Sequence, residues 1–208
     1  MIANAAQLRE LLPQFESVDR VAIDTEADSL HCYREKLCLL QISTPGHDVI
    51  VDPLADVDLA PLRDALASKE IVLHGADYDL RLLRRNMSFV PQRIFDTVIA
   101  ARLIGIREFS LAALVQLYFQ IELAKGSQKA NWAQRPLPAR MAEYAVNDTR
   151  YLLPMAERLE RRFHSVIAEN LADTECVLRQ HRDDLLQRDN FDVLLDARVL
   201  PARKMTLI

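Results

Sequence analysis

The sequence predicts an α/β fold, a mixed sheet that begins as a three-strand antiparallel meander and is covered by helices. Two observations carry this prediction. Three short apolar stretches near the N-terminus are separated by turn residues, which is typical of neighbouring strands in a meander. From residue 58 onward the apolar spacing lengthens to a helical period and helices alternate with strands, which is typical of α/β proteins.

The chain length fits one domain with an appendage. A protein of 208 residues, of which 50% are hydrophobic and only 4 are glycine, can bury one substantial core but is short for two. We therefore predict a domain over residues 1–165 and a helical extension over residues 166–208 that packs on it.

The predicted elements follow the hydrophobic pattern along the chain. Residues 4–12 place three leucines on one helical stripe, and Pro45 and Gly46 form a strong turn signal between two apolar stretches. Predicted strands span residues 20–26, 36–43, 48–52 and 70–75. Predicted helices span residues 4–12, 58–68, 77–86, two patterns within 96–118 that are interrupted at Gly105, then 138–162, and a further run to about 188.

Composition and charge argue against several classes of protein. No run of eighteen apolar residues occurs, and residues 1–15 lack the pattern of a leader peptide, so we expect a soluble, cytoplasmic protein without a membrane partner. The three cysteines lack paired spacing and therefore signal neither a disulfide framework nor zinc. A net charge of −4 argues against coating nucleic acid by bulk attraction, so any nucleic-acid contact must be local.

A pair of acids ends the first predicted strand. Asp24 and Glu26 flank Thr25, and because side chains alternate along a strand, both carboxylates project from the same face. Exposed strand ends often carry two solvated acids, so this pair alone is a weak signal. It gains weight here because the acids end an apolar strand.

Further acids lie at the start of one predicted helix and late in another. Asp77 and Asp79 open a helix, where acids are often structural; we expect Asp77 to cap it and Asp79 to point toward the first strand. Tyr144 and Asp148 stand four residues apart and so share one helix face. Taken alone, a tyrosine and an acid on an amphipathic helix are usually core and solvated edge.

Taken in order, these motifs resemble those of the DEDD superfamily of exonucleases, in the subgroup that carries a tyrosine. They are the DTE sequence at residues 24–26, then His74 and Asp79 separated by four residues, then Tyr144 and Asp148 separated by three. Within that subgroup the sequence is most similar to ribonuclease D. The resemblance implies a ribonuclease H-like fold with a five-stranded mixed sheet, and 3′→5′ exonuclease activity.

Connecting segments extend the resemblance over about residues 18–160. They are residues 37–43 after the first motif, 94–97 after the second and 125–137 before the third. The sequence departs from the family at its end. Bacterial ribonuclease D carries helical nucleic-acid-binding domains after its nuclease domain, and the stretch after Asp148 is too short for them.

The resemblance implies that Asp24, Glu26, Asp79 and Asp148 are metal ligands. Two unit charges 4 Å apart repel by about 4 kcal/mol at an effective dielectric near 20, so four converging carboxylates need cations. Oxygen ligands suit Mg²⁺ or Mn²⁺, and two such ions would support phosphodiester hydrolysis that releases nucleoside 5′-monophosphates. Asp24 would bridge both ions, with Glu26 and Asp148 on one and Asp79 on the other. Tyr144 would orient or help deprotonate the attacking water, and orientation is the easier role to defend, because an unperturbed phenol has a pKa near 10.

We expect substrate contacts from residues beside the acids and from one loop-rich stretch. The stretch offers phosphate contacts and an aromatic plane in an otherwise acidic protein, although the only tryptophan is about as well explained as a cap on the core. The predicted substrate-binding residues are Thr25, Gln41, His74, Lys125, Gln128, Trp132 and Arg135.

Three functions fit the sequence. The first is an exoribonuclease that acts on single-stranded RNA with a free 3′ end. The second is the same chemistry on DNA, and RNA is favoured over DNA on the resemblance alone. The third is an inert nucleic-acid-binding module, which ranks last because all four acids and Tyr144 are present. The sequence leaves the oligomeric state and the physiological substrate open.

Overall fold

The computed structural model describes residues 1–29, 32–33, 35–55, 57–124 and 130–180, with side chains to residue 170. The chain divides into two units, Met1–Phe163 and His164–Ile208. In the second unit, the described residues continue one helix to Gln180. The predicted packing of residues 166–208 on the domain stays a prediction, and residues 181–208 lie outside the described part.

A mixed five-stranded sheet forms the centre of the first unit, with the strand order β3-β2-β1-β4-β5. Strands β1, β2 and β3 pair antiparallel, whereas β4 pairs parallel to β1 and β5 parallel to β4. The predicted meander and the five-stranded mixed sheet are therefore confirmed. The strands are β1 (Arg20–Ala27), β2 (Leu37–Thr44), β3 (His47–Val51), β4 (Glu70–Leu73) and β5 (Arg93–Asp96).

Helices flank this sheet. In the part of the chain that the structure describes, no helix combines the length and the apolar character needed to cross a membrane. Short 3₁₀ turns span Leu12–Phe15 and Pro53–Ala55. The α-helices are α1 (Ala5–Leu11), α2 (Ala60–Leu66), α3 (Asp77–Met87), α4 (Thr97–Leu103), α5 (Leu111–Phe119), α6 (Ala139–Arg150) and α7 (Leu152–Gln180).

Apolar layers cover both faces of β1. Val21 and Ile23 are fully buried in a cluster with residues of α1, α2 and α3. Ala22 points to the opposite face and packs against Leu152 and Ala156 of α7. Burying a Val or Ile side chain contributes about 1.5–3 kcal/mol, so these layers hold β1 firmly in the sheet. The end of β1 is thus a rigid platform for polar side chains.

The predicted single helix over residues 138–162 is two helices in the structure. Helix α6 ends at Arg150 and α7 begins at Leu152. Pro154 lies in the first turn of α7, and because proline has no N–H, it cannot continue the hydrogen-bond ladder of α6. The break makes α6 a separate segment, and Tyr144 and Asp148 both lie on it.

Arg135 fixes the segment before α6 to the sheet. Its Nε and Nη2 atoms each donate to one carboxylate oxygen of Asp52, at 2.6 Å in both cases. The same guanidinium donates to the backbone oxygens of Cys38, Trp132 and Gln134. The Asp52 side chain is only 5% exposed, so this guanidinium compensates a charge that water barely reaches.

Replacing Arg135 therefore tests a buried ion pair. We expect Arg135→Met to lower the free energy of unfolding by about 3 kcal/mol, because it leaves the Asp52 carboxylate buried without its partner. Arg81→Met is the matched control, since Arg81 pairs with Asp77 on the surface, where such pairs contribute about 0–1 kcal/mol. Urea denaturation measures both variants, and equal losses would contradict the structural role of Arg135.

Candidate active site

Three acids from two elements meet at the end of β1. Asp24 and Glu26 project from one face of the strand, and α6 brings Asp148 to the same place. One carboxylate oxygen of each residue lies within 4.8 Å of those of the other two. All three side chains are partly buried. Three oxygens at this spacing are close enough to ligate one cation.

Asp79 is held next to this group by the strand itself. It lies in the first turn of α3, is only 5% exposed, and accepts two hydrogen bonds from Thr25. The backbone N–H and the hydroxyl of Thr25 both donate to Asp79 Oδ1, at 3.1 and 2.5 Å. Asp79 therefore points inward, as predicted, and lies beside the residue between Asp24 and Glu26. The predicted cap is wrong, because Asp77 is the exposed first residue of α3 and Ala76 precedes the helix.

Asp96 fixes the start of α3, the helix that carries Asp79. Its carboxylate accepts hydrogen bonds from the N–H groups of Gly75 at 3.1 Å, Ala76 at 2.9 Å and Val98 at 2.8 Å. It thereby joins the turn before α3 to the start of α4. Gly75 has φ +77, a left-handed conformation that other residues rarely adopt. Sequence reasoning did not find this role, although residues 94–97 were among the segments that resemble the family.

Thr97 determines which ring nitrogen of His74 carries the proton. The Thr97 hydroxyl donates to the backbone oxygen of Leu73 at 3.0 Å, so it accepts from His74 Nδ1 at 2.8 Å. Burial lowers the pKa of His74, which favours a neutral ring. A neutral ring protonated at Nδ1 presents Nε2 as a hydrogen-bond acceptor. His74 directly follows β4, whose Val72 pairs with Ala22, so it lies beside the end of β1.

A polar network docks α6 on the sheet. Ser43 on β2 donates to Asp48 at 2.7 Å, and its Oγ also lies 2.7 Å from Oγ1 of Thr149 on α6. The adjacent Arg150 donates to the other oxygen of Asp48, again at 2.7 Å. Asp148 directly precedes Thr149 and Arg150 on α6. Because the network anchors these two residues to the sheet, it also fixes the position of Asp148 relative to β1.

Tyr144 lies one helical turn before Asp148, as the spacing predicts. It is partly buried and packs against Trp132, with the ring centroids 6.1 Å apart. Trp132 is only 1% exposed and belongs to the apolar layer between β2 and α6. Of the two interpretations that the sequence left open for Trp132, the structure supports a core residue, one that backs the Tyr144 ring.

The predicted substrate-binding residues differ in burial and in the contacts that they make. Thr25 is buried and bound to Asp79, Gln41 is fully buried, and Arg135 uses its donors on Asp52 and on backbone oxygens. These contacts fit residues that support the site, and motif resemblance does not distinguish such residues from those that touch substrate. Their predicted substrate contacts stay a prediction. Among them, His74 is half-buried and borders the acids. Lys125 and Gln128 lie outside the described residues.

Burial raises the pKa values of all four acids, and the charges of neighbouring carboxylates raise them further. Burial is the largest cause in each case and raises the pKa of Glu26 to about 9, of Asp148 to about 7 and of Asp79 to about 6. The pKa of Asp24 lies well above its usual range, through burial and then the charges of Asp79, Asp148 and Glu26. The pocket thus disfavours negative charge that no cation offsets. An all-oxygen donor set of this kind fits Mg²⁺ or Mn²⁺.

Comparison with known proteins identifies one family. A family described as 3′-5′ exonuclease matches residues 1–164 of the chain. Ribonuclease D of Haemophilus influenzae is 32% identical over 200 residues, which cover 94% of this chain and 50% of that protein. Exosome complex component 10 of Rattus norvegicus is 33% identical over 191 residues, 90% of this chain and 22% of that protein.

Solved structures agree with this result. The crystal structure of Escherichia coli RNase D, described as an exoribonuclease involved in structured RNA processing, matches with a TM-score of 0.74 and 30% identity. The match covers 88% of this chain and 49% of that one. The catalytic core of RRP6 from Trypanosoma brucei matches with a TM-score of 0.71 and 31% identity, over 83% and 48% of the two chains. The chain thus spans half the length, or less, of the relatives named here.

The raised pKa values predict how stability without metal depends on pH. Between the unfolded pKa values near 4 and the folded values of about 6, 7 and 9, the unfolded chain has released protons that the folded chain retains. Stability is therefore highest below this range and is lost as pH rises through it. We expect a loss of at least about 2 kcal/mol between pH 5 and 9 in EDTA.

Urea denaturation in EDTA at several pH values measures this loss. Asp148→Asn should flatten the profile and raise the stability at pH 9, because it removes one carboxylate from the pocket. Addition of Mg²⁺ should also raise the stability at high pH, since an ion that binds only the folded state stabilises it. A profile that is flat, or that rises with pH equally in both proteins, would contradict the electrostatic description of the pocket.

Proposed function

Because the chain belongs to this family of 3′-5′ exonucleases, we propose that it is a metal-dependent exoribonuclease that removes nucleotides from the 3′ end of single-stranded RNA. The observation that carries the proposal is the convergence of Asp24, Glu26 and Asp148 within 4.8 Å, with Tyr144 one turn away. Attack of water at phosphorus and cleavage of the P–O3′ bond, with the 3′ oxygen of the shortened strand as leaving group, would release nucleoside 5′-monophosphates. The metal is Mg²⁺ or Mn²⁺, with two ions in the site.

The four acids hold the ions. Asp24, Glu26 and Asp148 supply one set of oxygens, and Asp24 also faces Asp79, whose charge contributes to its raised pKa. Both hydrogen bonds from Thr25 go to Oδ1 of Asp79, so we assign Oδ2 to the second ion. When bound, the cations offset the negative charge of the reacting phosphate and make water a better nucleophile.

Tyr144 orients the attacking water. It shares a helix face with Asp148, and Trp132 packs against its ring, so the direction of the phenol is restricted. A hydroxyl held in this way can hydrogen-bond a water molecule and align it with the phosphorus atom. The residue is thus assigned to positioning of the nucleophile, and the acids to metal binding.

The choice of RNA over DNA rests on the relatives, whereas one residue of the site fits the terminal sugar of either strand. Relatives that match most of this chain are named ribonuclease D, and the RNase D structure is described as an exoribonuclease. His74 presents Nε2 as an acceptor beside the acids, and a sugar hydroxyl of the terminal nucleotide is a suitable donor. The 3′ end of the strand would then lie next to β4.

The proposal is tested with 5′-labelled single-stranded RNA and the matching DNA, each with Mg²⁺ or Mn²⁺. We expect a ladder of products shortened from the 3′ end of the RNA, which disappears with EDTA. Asp24→Asn should lower the rate by at least about 10³-fold, because electrostatic stabilisation of the reacting phosphate is lost. Asp77→Asn is the control, since Asp77 is exposed on α3 and forms a surface ion pair with Arg81.

Each outcome of this assay decides one part of the proposal. Faster degradation of DNA than of RNA would replace the ribonuclease with a deoxyribonuclease of the same mechanism. Cleavage that persists in EDTA would contradict the metal dependence. Binding of both strands without cleavage would contradict the enzyme and favour a binding module.

Tyr144→Phe separates positioning from metal binding. The variant keeps the ring that packs on Trp132 and loses the hydroxyl, so we expect kcat to fall by about 10²-fold while KM for RNA changes little. Affinity for Mn²⁺, measured by titration calorimetry, should stay as in the wild type. A large loss of Mn²⁺ affinity, or an unchanged kcat, would show that the hydroxyl does not act on the nucleophile.

A further inference from the structure

A buried amide lies under the acids. Gln41 on β2 is 0% exposed, and neither its Nε2 nor its Oε1 atom has a hydrogen-bond partner among the described residues. An unpaired buried polar group costs free energy, and the large majority of such groups in proteins are paired. A glutamine retained at such a place on a strand otherwise rich in apolar residues calls for a functional explanation.

Its position on the sheet is next to Asp24. Asp24 and Gln41 are directly opposite each other in the antiparallel pair of β1 and β2, so their side chains project from the same face. Directly opposite residues have Cβ atoms about 4.5–5.5 Å apart, which is within reach of a glutamine amide. Gln41 is therefore the cross-strand neighbour of an acid in the three-acid group.

The same face of β2 is covered by α6. Leu39, two residues before Gln41, packs in one cluster with Ala145 of α6, and Ser43, two residues after it, contacts Thr149 of α6. Gln41 lies between these two contacts, under the part of α6 that carries Asp148. The amide is thus enclosed by the two elements that supply the metal-binding oxygens.

One more unpaired polar atom occurs in this layer. The Nε1 donor of Trp132 is buried without a partner among the described residues, and the ring packs in the same cluster as Leu39 and Ile50. Ile50 is the residue of β3 directly opposite Gln41. The donor of Trp132 and the acceptor of Gln41 are chemically complementary, and pairing them would turn the Nε2 group of Gln41 toward Asp24.

We propose that Gln41 is a positioning residue for metal binding: when a cation is bound, its Nε2 group would donate to a carboxylate oxygen of Asp24, while Trp132 orients the amide. The inference rests on the proposed function, because it needs the acids to be metal ligands. Partners of metal ligands restrict the ligand to one orientation, and their loss typically lowers metal affinity or activity about 10–100-fold.

Gln41→Met tests this role without changing the shape of the layer much. Methionine has nearly the length of glutamine and no amide, so the melting temperature in EDTA should stay the same or rise. Titration calorimetry with Mn²⁺, without RNA, should show a dissociation constant raised about 10–100-fold. With RNA, kcat should fall and KM should change little. Ile42→Val on the opposite face of β2 is the control, and it should lower the melting temperature without changing Mn²⁺ affinity.

The tryptophan supplies a second readout in the wild-type chain. Trp132 is the only tryptophan, so its fluorescence reports on the layer around Gln41, and Mn²⁺ or Mg²⁺ should change its emission. Mg²⁺ should also shift the side-chain NH₂ resonances of Gln41 in an NMR spectrum. This measurement uses only the wild-type protein. Resonances of Gln41 that do not shift at saturating Mg²⁺ would overturn the proposal.

The remaining outcomes separate this inference from the function it rests on. A wild-type protein that binds Mn²⁺ and degrades RNA, beside a Gln41→Met protein of equal Mn²⁺ affinity, would overturn the role of Gln41 alone. A Gln41→Met protein that only loses thermal stability, as the control does, would overturn it as well. A wild-type protein that does not bind Mn²⁺ would overturn both proposals.

Discussion

The main constraint on this structure is the repulsion among four carboxylates, which the fold must hold together in a partly buried pocket. Asp24, Glu26 and Asp148 lie within 4.8 Å of one another, and Asp79 is close enough to add to the raised pKa of Asp24. At such distances each like-charged pair is unfavourable by several kcal/mol at an effective dielectric near 20. The fold therefore supplies the framework that keeps the acids together until protons or cations offset their charge.

That framework consists of hydrogen bonds to one of the acids and within the elements that carry the others. Thr25 holds Asp79, Asp96 holds the turn that starts α3, and Ser43 with Thr149 holds α6 on the sheet. None of these contacts removes the charge of the metal-binding oxygens. They fix positions and leave the electrostatic strain in place, which is the condition under which a divalent cation binds strongly.

The sequence predicts much of this arrangement, because its local signals coincide with the fold. Period-two and helical patterns predict four of the five strands and most helices, and the order of the acidic motifs predicts the pocket. The fifth strand, β5, follows only from the family resemblance. The pattern predicts one helix across the break between α6 and α7, because the apolar period continues past Pro154. The inward positions of Gln41 and Arg135 depend on strand register and on a partner 83 residues away, which a single sequence does not contain.

The most direct test of the central claim counts the protons released when the metal binds. Titration of the protein with Mg²⁺ at pH 6.5, in two buffers with different heats of ionisation, gives that number. Since burial raises the pKa of Glu26 to about 9 and that of Asp148 to about 7, we predict release of roughly one proton or more, and clearly less release at pH 9.5. Binding heats that do not depend on the buffer at pH 6.5 would show that the acids are already ionised, and would contradict the account.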